Sequence, residues 1–283
     1  MKATNSMLIE RMVREMQFRN YSEHTIGSYT ASMSKVQNFY SLPVDKISVQ
    51  QFKDFLHHRI MVDKISVSLI NQSISAYKIM QVDILRRKWE PVRIKRPRRE
   101  KKLPVVLSQG EIALMISLTR NIKHKALIAL AYSSGLRRQE TRTLKPGDID
   151  SSGMRIHVVA GKGKKDRYTL LSKKSLELLR VYYKIEHPAK YLFEPFGKKG
   201  KPLGDGTINN IAKIAASRAG IKKKISFHTL RHCFATHLLE QGVNLRLIQQ
   251  FMGHSSIKTT AMYLHIANIN PGSITSPLDD MDI

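Results

Sequence analysis

Apolar positions recur at helical spacing along most of the chain, and the places where that period fails divide it. Ile26, Tyr29, Met33 and Val36 share one face, and Ser48 with Gln51 makes a capping-box start for a helix carrying Phe52, Phe55 and Leu56. Val67, Ile70, Ile74 and Tyr77 give a third amphipathic face. Nothing here alternates with period two, so residues 1–90 are expected to form a small helical bundle. The period stops in Pro91-Val-Arg-Ile-Lys-Arg-Pro-Arg-Arg-Glu-Lys-Lys-Leu-Pro104, where three prolines and a dense basic run read as a linker over 91–104.

Beyond it the signals mix. Ser108 and Glu111 form another capping box, opening a helix through Met115 and Leu118, and 125–133 is an apolar, buried helix. Met154 to Ala160 and Arg167 to Leu171 are short β-type runs flanking Gly161-Lys-Gly-Lys-Lys-Asp166, a hairpin with a lysine-rich tip. Helical patterns return over 173–184, 206–219, 228–240, 244–252 and 256–264, punctuated by Gly220, Gly242 and Gly253. The fold class is therefore mainly α: a helical domain over 1–90, a basic linker, and a mostly α domain over 105–283 with a small antiparallel β-sheet.

Charge narrows the function. Of 283 residues, 48 are Lys or Arg and 22 are Asp or Glu, a formal net charge of +26. An acidic solvating chain is excluded, and so large a like-signed excess calls for a polyanionic partner, nucleic acid ahead of an anionic membrane. No apolar run approaches the roughly 20 residues that span a bilayer, and the start, Met-Lys-Ala-Thr-Asn-Ser, lacks the apolar stretch of a secretory signal. The single cysteine, Cys233, allows neither an internal disulfide nor a thiolate metal cluster, so a cytoplasmic location is expected. Cys233 itself reads as a small apolar residue on a buried helix face.

Five places in the second domain carry candidate chemistry: Arg137 with Glu140 after Gly135, the hairpin with Lys162, His228 with Arg231 and His232, His254 after Gly253, and Tyr263. Residues three apart on a helix share a face, which puts His228 and Arg231 on one side. A zinc reading of the His228/His232 pair fails: no glutamate stands beside His228, and Arg231 would place a fixed cation against the metal. Each residue alone has a bland reading as a core histidine, a surface ion pair or a packed tyrosine. Taken together, two arginines, a lysine and histidines beside turns fit a phosphate cradle, and Tyr263 is a candidate nucleophile for covalent phosphoryl transfer.

The ordered blocks Tyr132-Ser-Ser-Gly-Leu-Arg-Arg-Gln-Glu140, Gly161-Lys-Gly-Lys-Lys-Asp-Arg167, His228-Thr-Leu-Arg-His232, Met252-Gly-His254 and Thr259-Thr-Ala-Met-Tyr263 resemble the tyrosine site-specific recombinases, the phage integrases and Xer-like resolvases. The resemblance covers the whole chain and implies a SAM-like core-binding domain before the catalytic domain. It implies that Tyr263 attacks a phosphate of duplex DNA to give a 3′-phosphotyrosine, and that Arg137 and Arg231 hold the non-bridging oxygens. Lys162 would protonate the leaving 5′-oxygen, His228 would assist proton transfer at the nucleophile, and His254 would donate to the phosphate. Glu140 is expected to orient Arg137. No metal or other cofactor is implied, and no ATP. The partners implied are double-stranded DNA with a specific recombination site, a tetramer of this chain in synapsis, and accessory proteins in some systems. Two other readings remain at this point, a type IB topoisomerase and a non-catalytic DNA-binding factor. Two regional expectations follow: neutralising Arg96, Arg98 and Arg99 weakens DNA binding and flattens its salt dependence, and the acidic end, Asp279-Asp-Met-Asp282, docks on a neighbouring subunit.

Overall fold

A computed structural model describes residues 2–89, 97, 103–159 and 166–268, with side chains from residue 7 onward. The chain divides into two compact units, residues 1–102 and 103–283. Most of the expected 91–104 linker, the lysine-rich loop with Lys162, and the acidic tail lie outside the described residues.

The first unit is helical, as its periodicity requires: α1 (Lys2–Phe18), α2 (Glu23–Tyr40), α3 (Val49–Met61) and α4 (Val67–Ile79), the last running into a π-helical turn over Met80–Ile84. Serine N-caps open three of them. Ser22, Ser48 and Ser66 each accept a backbone N–H from three residues on, and Ser48 and Gln51 complete the capping box. The predicted faces close on one core, in which Met33, Phe52, Ile70 and Tyr77 are at most 1% exposed. Phe52 and Tyr77 stack at 3.8 Å between ring centroids, clamping α3 to α4.

The second unit is built around α6 (Ile122–Ser134). Every residue from Ala126 to Ala131 is buried, because α8 (Lys173–Glu186) and α10 (Phe227–Glu240) pack on either side. A helix enclosed in this way shows no polar stripe, which is why its sequence reads as a continuous apolar run. Before it lies α5 (Gln109–Ser117), opened by the Ser108/Glu111 capping box; after it come the short α7 (Arg138–Thr143) and a three-stranded antiparallel sheet in the order β1-β2-β3. β2 (Arg155–Val158) and β3 (Arg167–Leu170) are the expected hairpin, with Ile156 paired to Thr169 and Val158 to Arg167. β1 (Ile149–Asp150) is too short to show alternation in the sequence.

α9 (Asp205–Arg218), α10, α11 (Leu245–Met252) and α12 (Ile257–Ala261) complete the unit. The pattern over 256–264 predicts a single helix. Instead α12 tightens into a 3₁₀ turn, Met262–His265, which brings Tyr263 into a small cluster with Phe234, Ile248 and Met252. Cys233 is buried as expected, its Sγ accepting the Leu107 N–H at 3.2 Å. Among the described residues, no helix is long and apolar enough to cross a membrane.

Candidate active site

Two glycines turn the backbone where the site begins and ends. Gly135 ends α6 at φ +60°, and a Cβ there would fall 2.3 Å from the Phe234 ring. Two residues later Arg137 becomes the N-cap residue of α7, where its backbone N–H donates to Glu140 Oε2 at 2.7 Å. Gly253 ends α11 at φ +59°, and a Cβ there would lie 2.7 Å from Arg167 Cδ. Its carbonyl accepts from Arg137 Nη2 at 2.7 Å, so the two turns are tied together by one guanidinium.

Glu140 is the hub. It is 7% exposed, and its Oε1 accepts from Arg137 Nη1 at 2.7 Å. Arg167 approaches it with both terminal nitrogens, at 2.8 and 2.7 Å, while its Nε donates to the Phe251 carbonyl at 2.9 Å. Arg231, 4% exposed, donates to the carbonyls of Gly135 and Met252, and its Nη1 is 3.9 Å from Glu140 Oε2. Burial alone would raise the Glu140 pKa, but the Arg167 hydrogen bonds and charge, with Arg137, outweigh it and hold the carboxyl at about 2. Burial and the neighbouring Arg137 charge weigh against the Arg231 cation, Glu140 supports it, and a guanidinium stays protonated in proteins. Three guanidiniums around one carboxylate leave two positive charges in excess, partly out of water.

Beside this cationic group is a neutral one. Tyr263 is 2% exposed, and its hydroxyl lies 2.9 Å from His232 Nδ1. Burial pushes its phenol up to about 12, although the charges of Arg231 and Arg137 pull the other way. His232 is driven down to about 4 by burial, then by His228 and Arg231. His254 falls to about 3 through burial and the charges of Arg231, Arg137 and Arg167, with its Nδ1 2.9 Å from Thr260 Oγ1.

Of the residues picked from sequence, Arg137, Arg231, His254 and Tyr263 gather here. Lys162 lies outside the described residues. His228 and Arg231 do not share one environment as helical spacing suggests: Arg231 is buried against two carbonyls, whereas His228 lies on the exposed side of the first turn of α10. Its ring is 6.1 Å from that of His232, and partial desolvation with the charges of Arg231, Arg138 and Arg137 keeps its pKa below the ordinary value. Glu140 orients Arg137 from a buried position rather than forming a surface ion pair. Arg167 and Thr260 were not legible as site residues, and His232, singled out with His228 and Arg231, had no role assigned to it. Arg167 closes a lysine-rich block with nothing to mark it off from the other cations, and His232 reads in sequence as a neighbour of His228 and Arg231 whose contact with Tyr263 no spacing shows. Among the described residues no group of three or more His, Cys, Asp or Glu side chains could hold a metal ion.

Tyr263 is buried beside clustered arginines, where the ordered motifs put the candidate nucleophile, and comparison with known proteins gives the family of the chain. Residues 106–269 match the phage integrase family, and residues 8–91 match the phage integrase N-terminal SAM-like domain. The chain belongs to the phage integrase family. It is a tyrosine recombinase, similar to the tyrosine recombinase XerD of Staphylococcus saprophyticus, with 31% identity over 92% of this chain and 94% of that protein. Among solved structures, XerA recombinase is 26% identical over 95% of each chain with a TM-score of 0.55. The fold is also that of XerH recombinase in a pre-cleavage complex with its difH substrate, at TM-score 0.70 and 21% identity over 92% of this chain and 81% of that one. The integrase fold thus accounts for both units and for the small sheet within the second.

Proposed function

We propose that this tyrosine recombinase, an enzyme that cleaves and rejoins DNA, opens a specific duplex site through a 3′-phosphotyrosine at Tyr263. The observation that carries the reading is the excess of guanidinium charge around Glu140, held against the Tyr263 side of the site by Arg231 and Arg137. A desolvated cation pair of this kind lowers its free energy by taking an anion, and a phosphodiester has two non-bridging oxygens to offer a forked donor. Arg137 and Arg231 would hold those oxygens, and the same charges stabilise the pentacoordinate transition state as it gains negative charge.

The Tyr263 oxygen then forms a bond to phosphorus while the bond to the 5′-oxygen breaks. Lys162 donates the proton to that oxygen, since an ammonium gives up a proton where a guanidinium does not. His254, neutral with Nδ1 engaged by Thr260, presents Nε2 to the phosphate as a hydrogen-bond donor. His228, on the open side of α10 with its ring 6.1 Å from that of His232, would be covered by the bound DNA. Energy of the broken phosphodiester is retained in the phosphotyrosine, so a 5′-hydroxyl from the same or a second duplex can reverse the step. Exchange between two duplexes would use a tetramer of this chain, and the acidic end, Asp279-Asp-Met-Asp282, would pack in trans and regulate which Tyr263 is active.

The test uses duplexes enriched by the protein from a randomised pool, then nicked beside the bound site so that cleavage releases a short fragment. A denaturant-stable protein–DNA adduct is expected and should vanish in Tyr263→Phe. Bound duplex with no adduct would make the protein a non-catalytic factor, and relaxed circles without exchanged sites would make it a topoisomerase.

A further inference from the structure

His232 is the one described side chain bonded to the Tyr263 hydroxyl, and nothing in the family assignment gives it a task. We infer that His232 is a catalytic residue that holds the tyrosine and accepts its proton as the oxygen attacks. The inference rests on Tyr263 being the nucleophile and adds the fate of its proton.

The geometry separates His232 from His228. Its Nδ1 is 2.9 Å from the Tyr263 oxygen with the rings inclined at 49°, whereas His228 is one helical turn earlier on the exposed side of α10. A general base must be within about 2.6–3.2 Å of the atom it deprotonates, and the contact to His232 meets that before any DNA is bound. The groups facing His232 are His228 and Arg231 on its own helix, Tyr263 on the 3₁₀ turn and His254 after α11. Burial, His228 and Arg231 disfavour an imidazolium, so His232 is a neutral acceptor in the free protein and the proton rests on the tyrosine. A bound phosphodiester reverses that balance by bringing negative charge against Arg231. Its arrival makes imidazolium formation less unfavourable at the moment the nucleophile is needed.

The step balances. The Tyr263 O–H bond breaks as its proton passes to His232 Nδ1, the freed lone pair forms the bond to phosphorus, and the 5′-oxygen leaves with a proton from Lys162. On rejoining, the imidazolium returns its proton to the departing phenolate. A tyrosine kept protonated until DNA binds is also kept from reacting elsewhere.

The experiment measures single-turnover adduct formation on the nicked duplex for wild type, His232→Asn and Arg231→Ala, each with tyrosine or 3-fluorotyrosine at position 263. Asparagine retains a polar atom near the Nδ1 position and cannot carry the proton. His232→Asn is expected to bind the duplex as wild type does and to cleave roughly 10²-fold more slowly. The fluorinated phenol, a stronger acid, should restore about tenfold of that loss while giving Arg231→Ala no such gain. Cleavage by His232→Asn at the wild-type rate overturns the inference, as does a slowed variant indifferent to the fluorinated phenol. If His232→Asn folds poorly, His232→Gln carries the same comparison. Absence of any adduct in wild type would instead strike the nucleophile assignment itself.

Discussion

The two halves of the site respond to burial in opposite ways. Around Glu140, charged groups remain charged because each has a partner: a forked arginine, a capping N–H or a backbone carbonyl. Around Tyr263, titratable groups that meet only neutral hydrogen-bond partners become neutral, the phenol at about 12 and the imidazoles of His232 and His254 at about 4 and 3. The same low dielectric therefore makes one half a fixed field for a phosphate and the other a proton reservoir that does not ionise in the absence of DNA. On the proposed mechanism, placing them side by side would let a phosphate that satisfies the first half activate the second.

Arg231 is where the halves meet, and changing it should break the comparison most severely. Arg231→Ala should slow single-turnover cleavage by about 10²–10³-fold while most DNA binding survives, since bulk charge elsewhere supplies the non-specific affinity. Equal loss of binding and cleavage in filter-binding and adduct assays would show that Arg231 serves general affinity, not the reacting phosphate.

Glu140→Gln tests whether the cationic half is held together by its one anion. Leaving clustered guanidiniums without it should cost about 3–5 kcal/mol of unfolding free energy in urea titrations. The pH dependence has a definite sign. The folded carboxyl titrates near 2 against an ordinary value of 4.5, so its contribution, about 3 kcal/mol, is complete above pH 4.5 and lost as pH falls through 2. The stability gap between wild type and Glu140→Gln should accordingly narrow on acidification; a gap constant from pH 7 to 3 would mean the carboxylate is not paired in this way.

Gly253→Ala sharpens the role of the turn linking the halves. With φ at +59° and Arg167 Cδ 2.7 Å from the new methyl, a destabilisation of roughly 1–3 kcal/mol is expected. Cleavage should fall with it as Arg167 is displaced. Full activity with lowered stability would show that Arg167 can move without disturbing Arg137. The smallest effect is spectroscopic. The imidazole resonances of His232 and His254 should not titrate between pH 8 and 5 in the free protein, and a midpoint near 6.5 for either would place it in water.

Much of this was legible in the chain. Capping boxes at Ser48 and Ser108, the faces through Phe52 and Tyr77, and the hairpin around the lysine-rich loop are local signals, and they folded where their spacing says. The enclosed α6 was legible for the opposite reason, as an apolar run with no polar stripe. The contacts made by Arg167 and His232 were not. Their sequence neighbours describe a basic loop and a helix start, while their partners, Glu140 and Tyr263, are 27 and 31 residues away.

By itself, the sequence determined the family and the helical character of both units, and it singled out the groups proposed to bind and attack a phosphate, because motif order and periodicity are properties of the chain. Tertiary structure alone decided which arginines share Glu140, how far Glu140, Tyr263 and His232 titrate from their ordinary values, and that His232 rather than His228 meets the Tyr263 hydroxyl. Those depend on distance and on exclusion of water, and both are set by where α7, β3, α10 and the final 3₁₀ turn converge.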